Sequence, residues 1–175
     1  MMSGLSRGLS ALALLICAGT AWAQDTSEAI VDSMTDWSVF EETSPQECWA
    51  VTTYKESVNT QDGRVVSVTR GEILLMVFFR PEADVTGQVA FTGGYPFAPG
   101  STVNVKIGDT EFELYTEGEW AWPATPQDDS KLITAMKRGA DAVLTAVSSR
   151  GTTTTDTFSL LGFTAAIEDA EQRCS

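Results

Sequence analysis

Short apolar runs separated by turn residues fill the chain from Asp36 onward, a pattern that predicts strands. Residues 48–55 alternate with a period of two. Trp49, Val51 and Thr53 fall on one face, and Cys48, Ala50, Thr52 and Tyr54 on the other. Residues 37–40 precede this run, and residues 65–69 follow the turn signal Asp62-Gly63. Residues 73–79 are apolar throughout, as a strand buried on both faces would be, and Pro81 ends the run. Residues 88–91 form another run before the turn-rich Gly93-Gly94-Tyr95-Pro96. Residues 103–107 and 110–115 flank Gly108-Asp109, a two-residue hairpin signal, and 142–148 and 152–160 flank Arg150-Gly151.

Two segments change period. Asp128, Asp129 or Ser130 can cap a helix that runs through Arg138 and turns Leu132, Ile133 and Met136 inward; Gly139 stops it. Near the end, Phe163, Ala166, Ile167 and Ala170 stand at i, i+3, i+4 and i+7, the stripe of a helix lying on a core. Many short strands with two short helices predict an antiparallel, immunoglobulin-like β-sandwich, with a lipocalin-like β-barrel as the alternative.

The N-terminus follows a different logic. Arg7, the apolar stretch 9–18 and Ala21-Trp22-Ala23 have the order of a secretory signal peptide, so residues 1–23 are expected to be removed. The stretch is too short for a stable membrane span. Leu14-Leu15-Ile16-Cys17 lacks the small residue a lipoprotein box needs before its cysteine, which favours soluble export to the periplasm, outer envelope or medium of a Gram-negative bacterium. Residues 24–35 are polar and acidic and read as a flexible leader, leaving residues 36–175 as one domain.

Charge narrows the partners. With 11 Lys+Arg against 24 Asp+Glu the chain carries −13, and loss of Arg7 makes it −14. Nucleic acid and anionic lipid need clustered positive charge, so neither is an expected partner.

The chain has no histidine, which excludes Ser-His-Asp and Cys-His catalysis and the usual zinc sites. No catalytic, cofactor-binding or metal-binding set is expected. Cys48 and Cys174, the two cysteines left after export, are expected to form a disulfide that ties the last helix to a strand; free or intermolecular thiols are the alternatives. Glu111 and Glu113 share a strand face, as a pair of acid/base carboxylates would, although Phe112 and Leu114 opposite them describe an ordinary half-exposed strand. Glu117, Glu119, Asp128 and Asp129 are a poor match to a calcium loop. Trp120 and Trp122 straddle Ala121 and form either a stacking platform for a glycan or peptide, or an anchor in the core or a loop.

Several segments together resemble a known family. They are Asp36-Trp37-Ser38-Val39, the cysteine strand Glu47-Cys48-Trp49-Ala50-Val51, the helix end Met136-Lys137-Arg138-Gly139, and the closing Phe158-Ser159-Leu160-Leu161-Gly162-Phe163-Thr164-Ala165-Ala166-Ile167 before Cys174. In this order they are similar to the invasion-associated locus B (IalB) family of alphaproteobacterial envelope proteins. The resemblance implies a β-sandwich in the periplasm or outer envelope, no established catalytic residues, and in some pathogens a part in host-cell invasion. The expected function is therefore non-enzymatic contact with an envelope or host protein. The alternative is a carbohydrate- or peptidoglycan-binding module using Trp120 and Trp122.

Overall fold

The computed structural model describes residues 30–175; the expected export signal 1–23, with Cys17, and residues 24–29 lie outside the described residues. Twelve strands pair in one antiparallel ladder. In chain order they are β1 (Ile30–Met34), β2 (Trp37–Thr43), β3 (Gln46–Thr53), β4 (Glu56–Gln61), β5 (Arg64–Val65), β6 (Leu74–Arg80), β7 (Val85–Thr92), β8 (Thr102–Ile107), β9 (Thr110–Glu117), β10 (Trp120–Trp122), β11 (Asp141–Val147) and β12 (Thr153–Ser159). Helix α1 (Pro126–Met136) lies between β10 and β11, and α2 (Phe163–Arg173) closes the domain.

The spatial order is β1-β2-β3-β6-β7-β10-β9-β8-β11-β12-β4-β5. The ladder folds over so that both halves share one apolar core. Val39, Ala50, Val77 and Phe91 come from the first half, and Val105, Leu144 and Phe158 from the second. Phe91 and Phe158 meet edge to face with ring centroids 6.0 Å apart. The chain crosses between halves at the β3–β4 corner, where the Lys55 N–H donates to the Thr157 carbonyl at 2.7 Å. The two ends of the ladder, β1 and β5, do not pair with each other. The sandwich expectation therefore holds, and the lipocalin-like barrel is corrected: an unjoined sheet keeps two edges that a barrel would lose.

Local chemistry explains the elements. Gly108, with φ 57°, lets Ile107 and Thr110 pair across the two-residue turn of the β8–β9 hairpin. Helix α1 starts earlier than its acidic residues indicate. Thr125 is the N-cap, its hydroxyl oxygen accepting the Asp128 N–H, and Pro126 follows where a missing N–H costs nothing. Leu132 and Met136 are buried as predicted, with Ile133 packed at the margin of the core. All four predicted stripe residues of α2 are buried.

The structure also contains strands that periodicity does not reveal. β4 is polar on both faces, β10 has three residues, and β1 arises within the segment read as a leader. Of the run 65–69, only Val65 is in a strand.

Candidate functional site

The C-terminus is secured first. Cys48 on β3 and Cys174 after α2 form a disulfide, with Cα atoms 5.9 Å apart and both residues buried. Arg173 adds ion pairs to Glu41 and Asp169, and the Gln46 side-chain amide donates to the Arg173 carbonyl at 3.0 Å. The bridge holds α2 on β2 and β3.

The candidate carboxylates Glu111 and Glu113 line a shallow depression between β9 and the start of α1, together with Asp128. Glu111 and Glu113 are exposed on β9 and accept hydrogen bonds from Asn104 and Thr102 of the adjacent strand. Glu117 ends β9 and Glu119 follows in the turn, while Asp128 and Asp129 sit on α1. Among the described residues no group of three or more His, Cys, Asp or Glu is placed to hold a metal ion. Nor does any described helix have the length and apolarity to cross a membrane.

Three buried ionisable side chains have structural partners. Arg70 makes a bidentate pair with Asp156 at 2.8 and 2.6 Å, donates to the Gly93 carbonyl, Ser57 and Asn59, and stacks over the Tyr95 ring. This satisfies both charges inside the sandwich and ties the β5–β6 connection to β12 and β4. Asp129 is buried at the start of α1, and its carboxylate accepts the Val89 N–H of β7 at 2.8 Å. β10 reaches only Phe91 and Thr92 of β7, so this carboxylate serves an N–H that the ladder leaves free. Burial raises the Asp129 carboxyl to about 6, against the lowering effect of that hydrogen bond.

The feature with open chemistry is the outer face of β2-β3-β6-β7-β10. Cross-strand register brings Phe40, Trp49, Phe78 and Gln88 into one row and Ser38, Val51, Met76 and Ala90 into the next. Phe40 stacks on Trp49 at 5.4 Å and 3°, and Trp49 lies 6.1 Å from Phe78. The Arg80 guanidinium covers Phe78 at 4.4 Å and pairs with Glu47 at 2.8 Å. A cleft of about 600 Å³ opens over the β2-β3-β6 part of this face.

Trp120 and Trp122 stand at the far side of the same face, with Ala121 turned fully inward. Trp120 is 41% exposed, and a smaller depression joins both indoles to Phe78, Arg80 and Gln88. The core-anchor alternative for these tryptophans does not describe where they sit.

The ladder Phe40–Trp49–Phe78 is the part that sequence reasoning missed. Its signals were present: an all-apolar run at 73–79 and Trp49 on the face-alternating neighbour 48–55. They describe apolarity on two faces without saying that one lacks a covering layer.

The sequence model described as invasion associated locus B (IalB) protein matches residues 41–171. No curated protein matches the chain significantly. Among solved structures, the crystal structure of invasion associated protein b from Bartonella henselae is similar, with a TM-score of 0.55 and 16% sequence identity. That likeness covers 79% of this chain and 94% of the other, and at this identity it speaks for the fold. The cysteine strand, the outer-face residues of β3, β6 and β10, and most of the closing segment all lie within the matched residues. The chain belongs to the invasion-associated locus B (IalB) family.

Proposed function

We propose that this protein is exported and acts without catalysis, by holding an envelope or host protein on the outer face of β2-β3-β6-β7-β10. The observation that carries the reading is the continuous aromatic row Phe40–Trp49–Phe78, with Phe40 and Phe78 half-buried and Trp49 9% exposed between them, on a face that no other element covers among the described residues. Rows of stacked aromatics beside half-buried apolar side chains are what the central part of a protein interface provides. Export is supported by the order of the N-terminal residues and by a disulfide that an oxidising compartment maintains.

The test is site-specific photo-crosslinking in cells, with p-benzoylphenylalanine replacing Phe40 or, as control, Glu113. A protein adduct from position 40 and none from 113 is the expected result. Equal adducts from both, or none from 40, would remove the reading.

A second reading has its own observation: Trp120 and Trp122 flank a depression that also presents Arg80 and Gln88. Indole faces with neighbouring polar groups suit a sugar ring. It predicts retention of the protein on isolated cell-wall glycan, with loss of retention in Trp120→Ala and Trp122→Ala variants. Unchanged retention in the variants, or no retention at all, would sink it.

A further inference from the structure

The cleft over β2, β3 and β6 has an apolar floor and an acidic rim. The floor is Phe40, Trp49, Val51, Leu74, Met76 and Phe78. Its rim carries Asp36, Glu42, Glu47 and Glu72; among the described residues no Lys or Arg lines the cleft, and the Arg80 guanidinium over Phe78 stands at its border. Two of these carboxylates are already neutralised: Asp36 pairs with Lys55 at 2.6 Å, and Glu47 with Arg80. Glu42 and Glu72 are exposed and have no cationic partner within 4 Å among the described residues. They stand at opposite ends of the floor, Glu42 beside Glu47 on the β2–β3 hairpin and Glu72 just before β6.

The dimensions limit the occupant. From β2 to β6 the floor spans two strand spacings, about 10 Å, and from Leu74 to Phe78 it runs about 13 Å. That footprint matches the apolar face of two to three helical turns. Anionic ligands would meet two uncompensated carboxylates within a molecule of formal charge −13. A neutral sugar would leave both carboxylates without a counterpart. A second copy of the same acidic chain would add like charge to the rim.

We infer that the cleft receives a cationic amphipathic segment of another protein, whose apolar face lies on Phe40, Trp49 and Phe78 and whose Lys or Arg residues reach Glu42 and Glu72. This names the partner's chemistry and rests on the contact-face reading above. Apolar burial supplies most of the affinity, and the two carboxylates select a basic partner and set its orientation.

The experiment uses the purified, oxidised, exported form of the chain and three fluorescein-labelled 18-residue peptides. One is an amphipathic helix of Leu, Trp and Lys; the second has Glu in place of each Lys; the third has the Lys peptide's composition scrambled to destroy its apolar face. Anisotropy is read at 150 mM salt for the parent, Glu42→Gln/Glu72→Gln, and Glu111→Gln/Glu113→Gln as a charge-matched control. All four positions are exposed, so folding should survive. The expected result is binding of the amphipathic Lys peptide alone, weakened about three- to tenfold by the Glu42/Glu72 pair and unchanged by the control pair. Equal weakening by both pairs, equal binding of the scrambled peptide, or no binding of the Lys peptide would overturn the inference. Crosslinking from position 40 separates the two failures. A captured protein with no peptide preference defeats only the cationic partner, whereas a captured glycan or no capture defeats the contact reading as well.

Discussion

At residue scale, the start of β2 and the segment that leads from β12 into α2 meet in space, and their contact explains why each residue is what it is. Trp37 is almost fully buried; its ring lies 4.8 Å from Phe163, and its indole N–H donates to the Ser159 carbonyl at 3.0 Å. The Ser159 hydroxyl oxygen accepts the Leu161 N–H, which shapes the turn into α2. Gly162 then caps α2 at φ 91°, and a Cβ at that position would collide with the Met34 carbonyl oxygen. Positive φ and close backbone approach both demand glycine. Gly162→Ala should therefore cost roughly 2–4 kcal/mol, because either β1 or the start of α2 must move. Urea unfolding of parent and variant measures this. A loss below about 0.5 kcal/mol would show that β1 yields without consequence.

Among the elements, the helices do different work. α1 closes the open side of β7, and Asp129 is the group that makes the joint. Its carboxyl is raised above the ordinary value of 3.8 to about 6, so the folded state binds this proton more tightly than the unfolded chain does. The stabilisation linked to that proton is complete below about pH 4 and is lost as pH rises through 6. Asp129→Asn keeps an oxygen for the Val89 N–H and cannot ionise. The variant should gain on the parent steadily from pH 4 to 7, reaching up to about 3 kcal/mol. Guanidinium midpoints across that range give the comparison, and a variant weaker than the parent at pH 7 would mean that the carboxylate's bond and the helix dipole outweigh its burial. α2 is held by its apolar stripe and by the disulfide, which closes a loop spanning 126 positions. Replacing both Cys48 and Cys174 by alanine should lower stability by about 2–5 kcal/mol and accelerate amide exchange in α2 before the rest of the sheet. Unchanged exchange in α2 would assign its docking to the stripe alone.

Those elements also show what a lone sequence discloses. The run 48–55, the run 73–79, the hairpin about Gly108 and the stripe of α2 were legible because side-chain period reports which faces are apolar. β4 was not, because Ser57, Asn59 and the threonines of β12 opposite it are polar on both sides and the ladder alone makes it a strand. β10 is too short for a period. The start of α1 was hidden by three cap candidates, Asp128, Asp129 and Ser130, that compete with Thr125. The cleft was half legible: periodicity announced an apolar outer face on β6, but what covers a face is decided by topology. With Trp120 and Trp122 the ambiguity between core and surface was settled by Ala121, the one small residue that points inward.

Across the whole molecule, six cations are tied into the fold while most carboxylates face outward. Lys55, Arg70, Arg80, Lys131, Lys137 and Arg173 are engaged in intramolecular ion pairs. Among the described residues only the Arg70–Asp156 pair is buried on both sides, and burial shields it from salt. The exposed pairs contribute little each, about 0–1 kcal/mol, and salt weakens them. Against them stands the repulsion among the many carboxylates without a partner, which compaction strengthens and salt also weakens. At a formal charge of −13 the repulsion should dominate. Raising NaCl from 10 to 500 mM at pH 7 should then increase the urea midpoint and the unfolding free energy, by about 1 kcal/mol. Potassium chloride should do the same, since screening depends on ionic strength rather than on a particular cation. A midpoint that falls with salt would place the surface pairs above the repulsion and would make the acidic surface neutral to folding. An increase confined to calcium would reveal a specific cation site instead. The expected rise, common to both monovalent salts, identifies excess negative charge as a cost to the fold, one that association with a basic partner would relieve as salt does.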